Sequence, residues 1–103
     1  MYPVEPLESL MNRYNSAHTP GSVVALAAAT EAIVLRQWSD RRHALIINTG
    51  GNAASLSLGG IAVAGRGIVL PPTAWYEIMP GNLFTGDIHA ISTLGTVLSI
   101  VEE

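Results

Sequence analysis

What most constrains this chain is the punctuation of its second half. From residue 42 onward, short apolar runs are separated by Gly, Pro and Asn, with almost no charged side chain between them. The first run is His43-Ala-Leu-Ile-Ile-Asn-Thr-Gly-Gly-Asn52, and the last ends in Thr96-Val-Leu-Ser-Ile-Val-Glu102. Runs of this length suit strands better than helices, and Gly and Asn accept the positive φ angles that tight turns need. The pattern predicts an all-β fold, a small β-sandwich or compact barrel of about eight short antiparallel strands.

The chain divides into two parts. Residues 1–21 hold Pro3, Pro6 and Pro20 around Leu7-Glu-Ser-Leu-Met-Asn-Arg-Tyr14. Leu7, Leu10, Met11 and Tyr14 recur at i, i+3, i+4 and i+7, and Pro6 suits a first helical turn. This predicts an N-terminal arm carrying one short amphipathic helix. Two turns do not repay helix nucleation, so its apolar face must dock, either on its own sandwich or on a neighbouring subunit. Residues 22–103 are read as the β-sandwich domain.

Within that domain, Val23-Val-Ala-Leu-Ala-Ala-Ala29 could pass for helix, but Gly21 before it and the β-branched Ala32-Ile-Val-Leu-Arg-Gln-Trp38 after it favour strands. Ala44-Leu-Ile-Ile47 is apolar on both faces, as a central strand is. Asn48-Thr-Gly-Gly-Asn52 predicts a hairpin. Ala54-Ser-Leu-Ser-Leu58 alternates, with Leu56 and Leu58 inward. Residues 61–70 read as a loop or bulged ribbon that resumes as a strand at Gly67 and is closed by Pro71-Pro72. Ala74-Trp-Tyr-Glu-Ile-Met79 is a further strand, followed by a Pro80-Gly81 turn. Asp87–Ser92 and Thr96–Val101 are expected to pair through Thr93-Leu-Gly95.

Composition narrows the function. Apolar residues make up 49% of the 103 and charged residues 13%, about half the usual charged share. Such a surface is weakly defended against association, which predicts a subunit of an oligomer or larger assembly. The net charge is −3, all five basic residues are Arg and there is no Cys. Without a basic face, counterion release gives nucleic acid little to bind. Disulfides and thiolate metal sites are excluded. No apolar run reaches the length of a membrane span, and no signal peptide is recognisable.

No catalytic constellation is legible. His18, His43 and His89 lack metal-ligand spacing, so neither a metal nor a cofactor is expected. Asp87, His89 and Ser92 could be imagined as a triad, but no elbow motif presents the serine. The glycines at 59, 60, 65 and 67 lack the following helix and lysine of a phosphate loop, and read as turn and bulge residues. Trp38, Trp75 and Tyr76 could form a sugar-stacking platform, but alternation puts Tyr76 and Ile78 on one face and Trp75, Glu77 and Met79 on the other. Trp75 and Met79 are the better candidates for a subunit contact. Arg36, Arg41 and Arg42 form either a solvated turn or, through Arg41 and Arg42, an inter-subunit pairing with Glu102 or Glu103. The chain is therefore expected not to be an enzyme.

The run Arg41-Arg-His-Ala-Leu-Ile-Ile-Asn-Thr-Gly-Gly-Asn52, a Gly-rich segment, Ile68-Val-Leu-Pro-Pro72, Gly86-Asp-Ile-His-Ala-Ile-Ser92 and Val97-Leu-Ser-Ile-Val101 resemble the small β-sandwich structural proteins of tailed bacteriophages. The resemblance covers residues 41–103, and departs at Pro71-Pro-Thr-Ala-Trp-Tyr76, where a Gly-containing acidic turn is expected. It implies a virion component assembled in the host cytoplasm: a capsid decoration or cement protein on the phage head, bound to the major capsid protein and to its own copies, commonly as a homotrimer. Neck, tail and fibre-associated proteins use similar modules.

Overall fold

In the computed structural model the described residues are 22–103. They form eight strands: β1 (Ser22–Leu26), β2 (Ala32–Leu35), β3 (Ala44–Asn48), β4 (Ala54–Leu58), β5 (Ile68–Leu70), β6 (Trp75–Ile78), β7 (Ile88–Ile91) and β8 (Thr96–Glu102). One 3₁₀ turn, Pro80–Asn82, lies between β6 and β7. The predicted helix and its stripe Leu7, Leu10, Met11 and Tyr14 fall outside the described residues.

The strands make two four-stranded sheets, ordered β1-β8-β3-β6 (sheet 1) and β2-β7-β4-β5 (sheet 2), with every strand pair antiparallel. This is a sandwich, with the strand order of a jelly roll. The chain changes sheet at every connection except β4 to β5.

That crossing corrects two expectations. Asn48-Thr-Gly-Gly-Asn52 is not a hairpin, because β3 belongs to sheet 1 and β4 to sheet 2. The two last strands are likewise not partners: β7 pairs with β2 and β4, and β8 with β1 and β3. Gly in both connections, with Asn in the first, permits a sharp reversal, but the reversal carries the chain from one sheet to the other.

The core follows from period-two alternation. In β8, Leu98 and Ile100 point inward and are 0% and 1% exposed, while Val97, Ser99 and Val101 are outward and half-buried. Ile46 and Ile78 join them from sheet 1, and Leu56, Ile88 and Ala90 face them from sheet 2. β3 sits between β8 and β6, the central position its two apolar faces predict.

Two buried polar residues near the ends of β3 tie the sheets together. Asn48, fully buried, donates through Nδ2 to the carbonyls of Asn52 and Leu70, each at 2.8 Å. Its Oδ1 accepts from Gly50 N at 3.1 Å and Thr96 Oγ1 at 2.8 Å. Near the other end, Arg41 donates to Glu102, to the carbonyls of Phe84 and Gly86, and to that of Arg36. All the polar atoms of the Asn48 amide and most donors of the Arg41 fork are thus satisfied, the condition under which burying them is tolerable.

Candidate functional site

The residues singled out in the sequence separate into an inner and an outer set. Arg41 is only 1% exposed. Its carboxylate partner is Glu102 of the same chain at 2.8 Å, so the pairing foreseen between subunits is made inside one fold. The reason is position. Arg41 precedes β3, whose neighbour β8 ends at Glu102 with Ala44 opposite it, and this brings the guanidinium under the end of the sandwich. Arg42 is exposed, and its amide donates to Glu103 O at 2.7 Å.

Trp75 and Met79 lie outside, 63% and 48% exposed, and Leu83 beyond the 3₁₀ turn is 46% exposed. β6 is one of the two edge strands of sheet 1. Trp75 pairs with Ile47 and projects outward, while Tyr76 and Ile78 turn to the core. The alternation read from the sequence holds here, and it keeps the rings of Trp75 and Tyr76 on opposite faces. Beside this margin, Ser39, Asp40, Arg41, Arg42, Pro80 and Leu83 line an open groove of about 370 Å³. Leu83 was missed in the sequence because it stands in an irregular segment with no periodicity to assign it a face.

The groove and margin offer contact chemistry: an aromatic ring, a thioether and a Leu beside a polar turn. Aromatic and Met side chains flanked by Arg are the composition of an interface core. Between Trp75 and Met79 on the same outward side, Glu77 Oε2 lies 2.9 Å from His43 Nε2, both side chains partly exposed. A pair so placed contributes little to stability.

The imagined triad is dispersed. Asp87 Oδ1 accepts from Gln37 N at 2.6 Å, Ser92 Oγ donates to Ala53 O at 2.7 Å, and His89 Nδ1 pairs with Glu31 Oε2. Glu31 also accepts from Ala62 N at 3.2 Å, which ties the 59–67 loop to sheet 2. Among the described residues no group of three or more His, Asp or Glu converges on a common point. No helix among them is long and apolar enough to cross a membrane.

Compared with known protein families, curated proteins and solved structures, the chain finds no match in any of the three.

Proposed function

We propose that this chain is a non-enzymatic structural protein of a tailed-phage virion, a capsid decoration or cement protein that binds the major capsid protein and its own copies as a homotrimer. The observation that supports it most is the exposed apolar margin of Trp75, Met79 and Leu83 on a chain with 13% charged residues. A margin of this kind favours protein contact over solvent. The jelly-roll order is shared by proteins of many functions and adds only compatibility. The mechanism is linkage: a protein that binds the assembled shell and not its free subunits shifts the equilibrium towards the shell. Many weak sites on one lattice add through avidity.

The test is the number of copies per purified particle, measured by mass spectrometry against the major capsid protein. A large fixed fraction supports a lattice-binding decoration protein. A handful of copies indicates a neck or tail part, and absence from the particle removes the virion reading. A second reading, a carbohydrate-binding module, draws on the exposed ring of Trp75, since aromatic faces suit sugar rings. A change of tryptophan fluorescence on titration with glycans, lost in Trp75→Ala, would favour it.

A further inference from the structure

Each sheet of the sandwich ends in two edge strands, β1 and β6 in sheet 1 and β2 and β5 in sheet 2. An edge presents unpaired backbone N–H and C=O groups, and folded chains blunt it with a charge, a proline, a bulge or a covering segment. β2 shifts register between Ile33 and Leu35. β5 has three residues and runs into Pro71-Pro72. Along β6, Asn82 takes the place of a further strand: its Oδ1 accepts from Met79 N at 2.7 Å, its Nδ2 donates to Glu77 O at 3.1 Å, and its amide donates to Met79 O at 3.0 Å.

β1 carries none of these devices. Ser22-Val-Val-Ala-Leu26 holds no charge, no proline and no break in register, and among the described residues no strand pairs beyond it. The ladder fixes which of its groups are left over. His43 and Glu103 exchange both backbone bonds, at 2.9 and 2.8 Å. The residues of β8 in step with Glu103, which are Val101, Ser99 and Val97, therefore turn their backbone groups to β3, while Leu98 and Ile100 turn theirs to β1. Their partners there are Val24 and Ser22. The N–H and C=O groups of Val23 and Ala25 are thus left pointing out of the sheet, and both side chains are exposed, Val23 at 70%.

We propose that the free edge of β1 docks the β1 of a second copy of this chain, added antiparallel about a two-fold axis at Val24, so that the two copies of sheet 1 become one continuous sheet. Self-complementarity selects this occupant. With the axis at Val24, Val23 of each copy stands opposite Ala25 of the other as a hydrogen-bonded pair, and Val24 meets its own counterpart as the non-hydrogen-bonded pair between them. Every outward N–H and C=O of Val23 and Ala25 then finds a partner, and no like charges are opposed.

Such an isologous contact closes on two copies. It uses the margin of sheet 1 opposite to Trp75, so it adds to a contact made there rather than competing with it. The edge is small, below the ~800 Å² per partner of a stable association. The pairing is therefore weak between free copies and strengthens where copies are held side by side.

The experiment uses the full chain in isolation, so its outcome does not depend on any role in a virion. With no native Cys, Val23→Cys and Ala25→Cys are prepared separately, mixed and treated with oxidised glutathione, and the disulfide dimers are told apart by intact mass. Expected is at least about tenfold more mixed dimer than either like dimer, because opposite residues lie about 5.5 Å apart, within the span of a disulfide. Like residues would be diagonal neighbours about 7–8 Å apart, outside that span. Mixed and like dimers in the statistical ratio, or no dimer at all, overturn the proposal. Hydrogen exchange on the unsubstituted chain gives an independent reading: the Val23 and Ala25 amides should exchange more slowly as protein concentration rises. Exchange that does not depend on concentration overturns the proposal, and if it is slow it assigns the edge to a segment of the same chain.

Discussion

Arg41 Nε donates to Glu102 Oε2 at 2.8 Å with the two side chains 0% and 4% exposed, closing one end of the sandwich with a buried ion pair. The same guanidinium holds the carbonyls of Phe84, Gly86 and Arg36. One side chain thus joins the end of β8 to the segments that enter β7 and leave β2.

Removing either partner takes this ion pair from a charge that stays buried. Arg41→Ala and Glu102→Ala are each expected to lose about 3–5 kcal/mol, read as a shift of the urea midpoint. The double variant Arg41→Met/Glu102→Leu should recover only part of the loss, because three carbonyls lose their donor whatever replaces the charge. Full recovery would show that the carbonyl contacts contribute nothing.

Asn48 closes the other end through four hydrogen bonds. Asn48→Ala leaves the Leu70 carbonyl and the Thr96 hydroxyl without that partner, and is expected to cost about 2–4 kcal/mol in thermal or urea unfolding. Thr96→Val, which removes one bond, should cost about 1 kcal/mol. Equal effects would mean that the Asn48 amide is not the hub of the network.

Gly67 has φ +74°, and a Cβ there would stand 2.4 Å from the Leu56 carbonyl oxygen. Gly67→Ala is expected to destabilise by more than ~1 kcal/mol, through left-handed strain and the clash together. Gly51, where a Cβ meets nothing within 4 Å, serves as the control. Gly51→Ala should be neutral or raise stability by about 0.5 kcal/mol.

Trp75 is 63% exposed and should separate binding from folding. Trp75→Ala is expected to change unfolding free energy by no more than about 0.5 kcal/mol. If the proposed decoration role holds, it should weaken association with the particle by at least ~2 kcal/mol, as loss of an aromatic anchor does. Unchanged binding would remove the β6 margin from the interface.

Glu31 anchors the 59–67 loop through Ala62 N and pairs with His89. Glu31→Ala should accelerate hydrogen exchange at the Ala62 and Gly65 amides while leaving the exchange of β8 amides unchanged. An unchanged loop would mean that the bond from Gly65 to Ser55 holds it alone.

Much of the fold was legible. Every described strand falls on a run identified by alternation or by β-branched residues, and the outward turn of Trp75 and Met79 follows from period two alone. The candidate site was only half legible. Trp75, Met79 and Arg42 stand on the surface, while Arg41, adjacent to Arg42 in sequence, is buried. No local pattern distinguishes two neighbouring arginines in a polar connection. The partnership of Glu31 with His89 was equally invisible, because it joins a residue just before β2 to one on β7, far apart in sequence.

The sequence by itself determined which runs form strands and, within them, which side chains face inward, because pleat geometry and turn chemistry are properties of a few consecutive residues. Only the tertiary structure decided that β3 and β4 belong to different sheets, that β7 and β8 do not pair, and that Arg41 meets Glu102 inside one chain. Those outcomes depend on contacts between residues distant in sequence, where many pairings satisfy the same alternation. The choice among them is made by packing the whole core and satisfying every buried polar group at once.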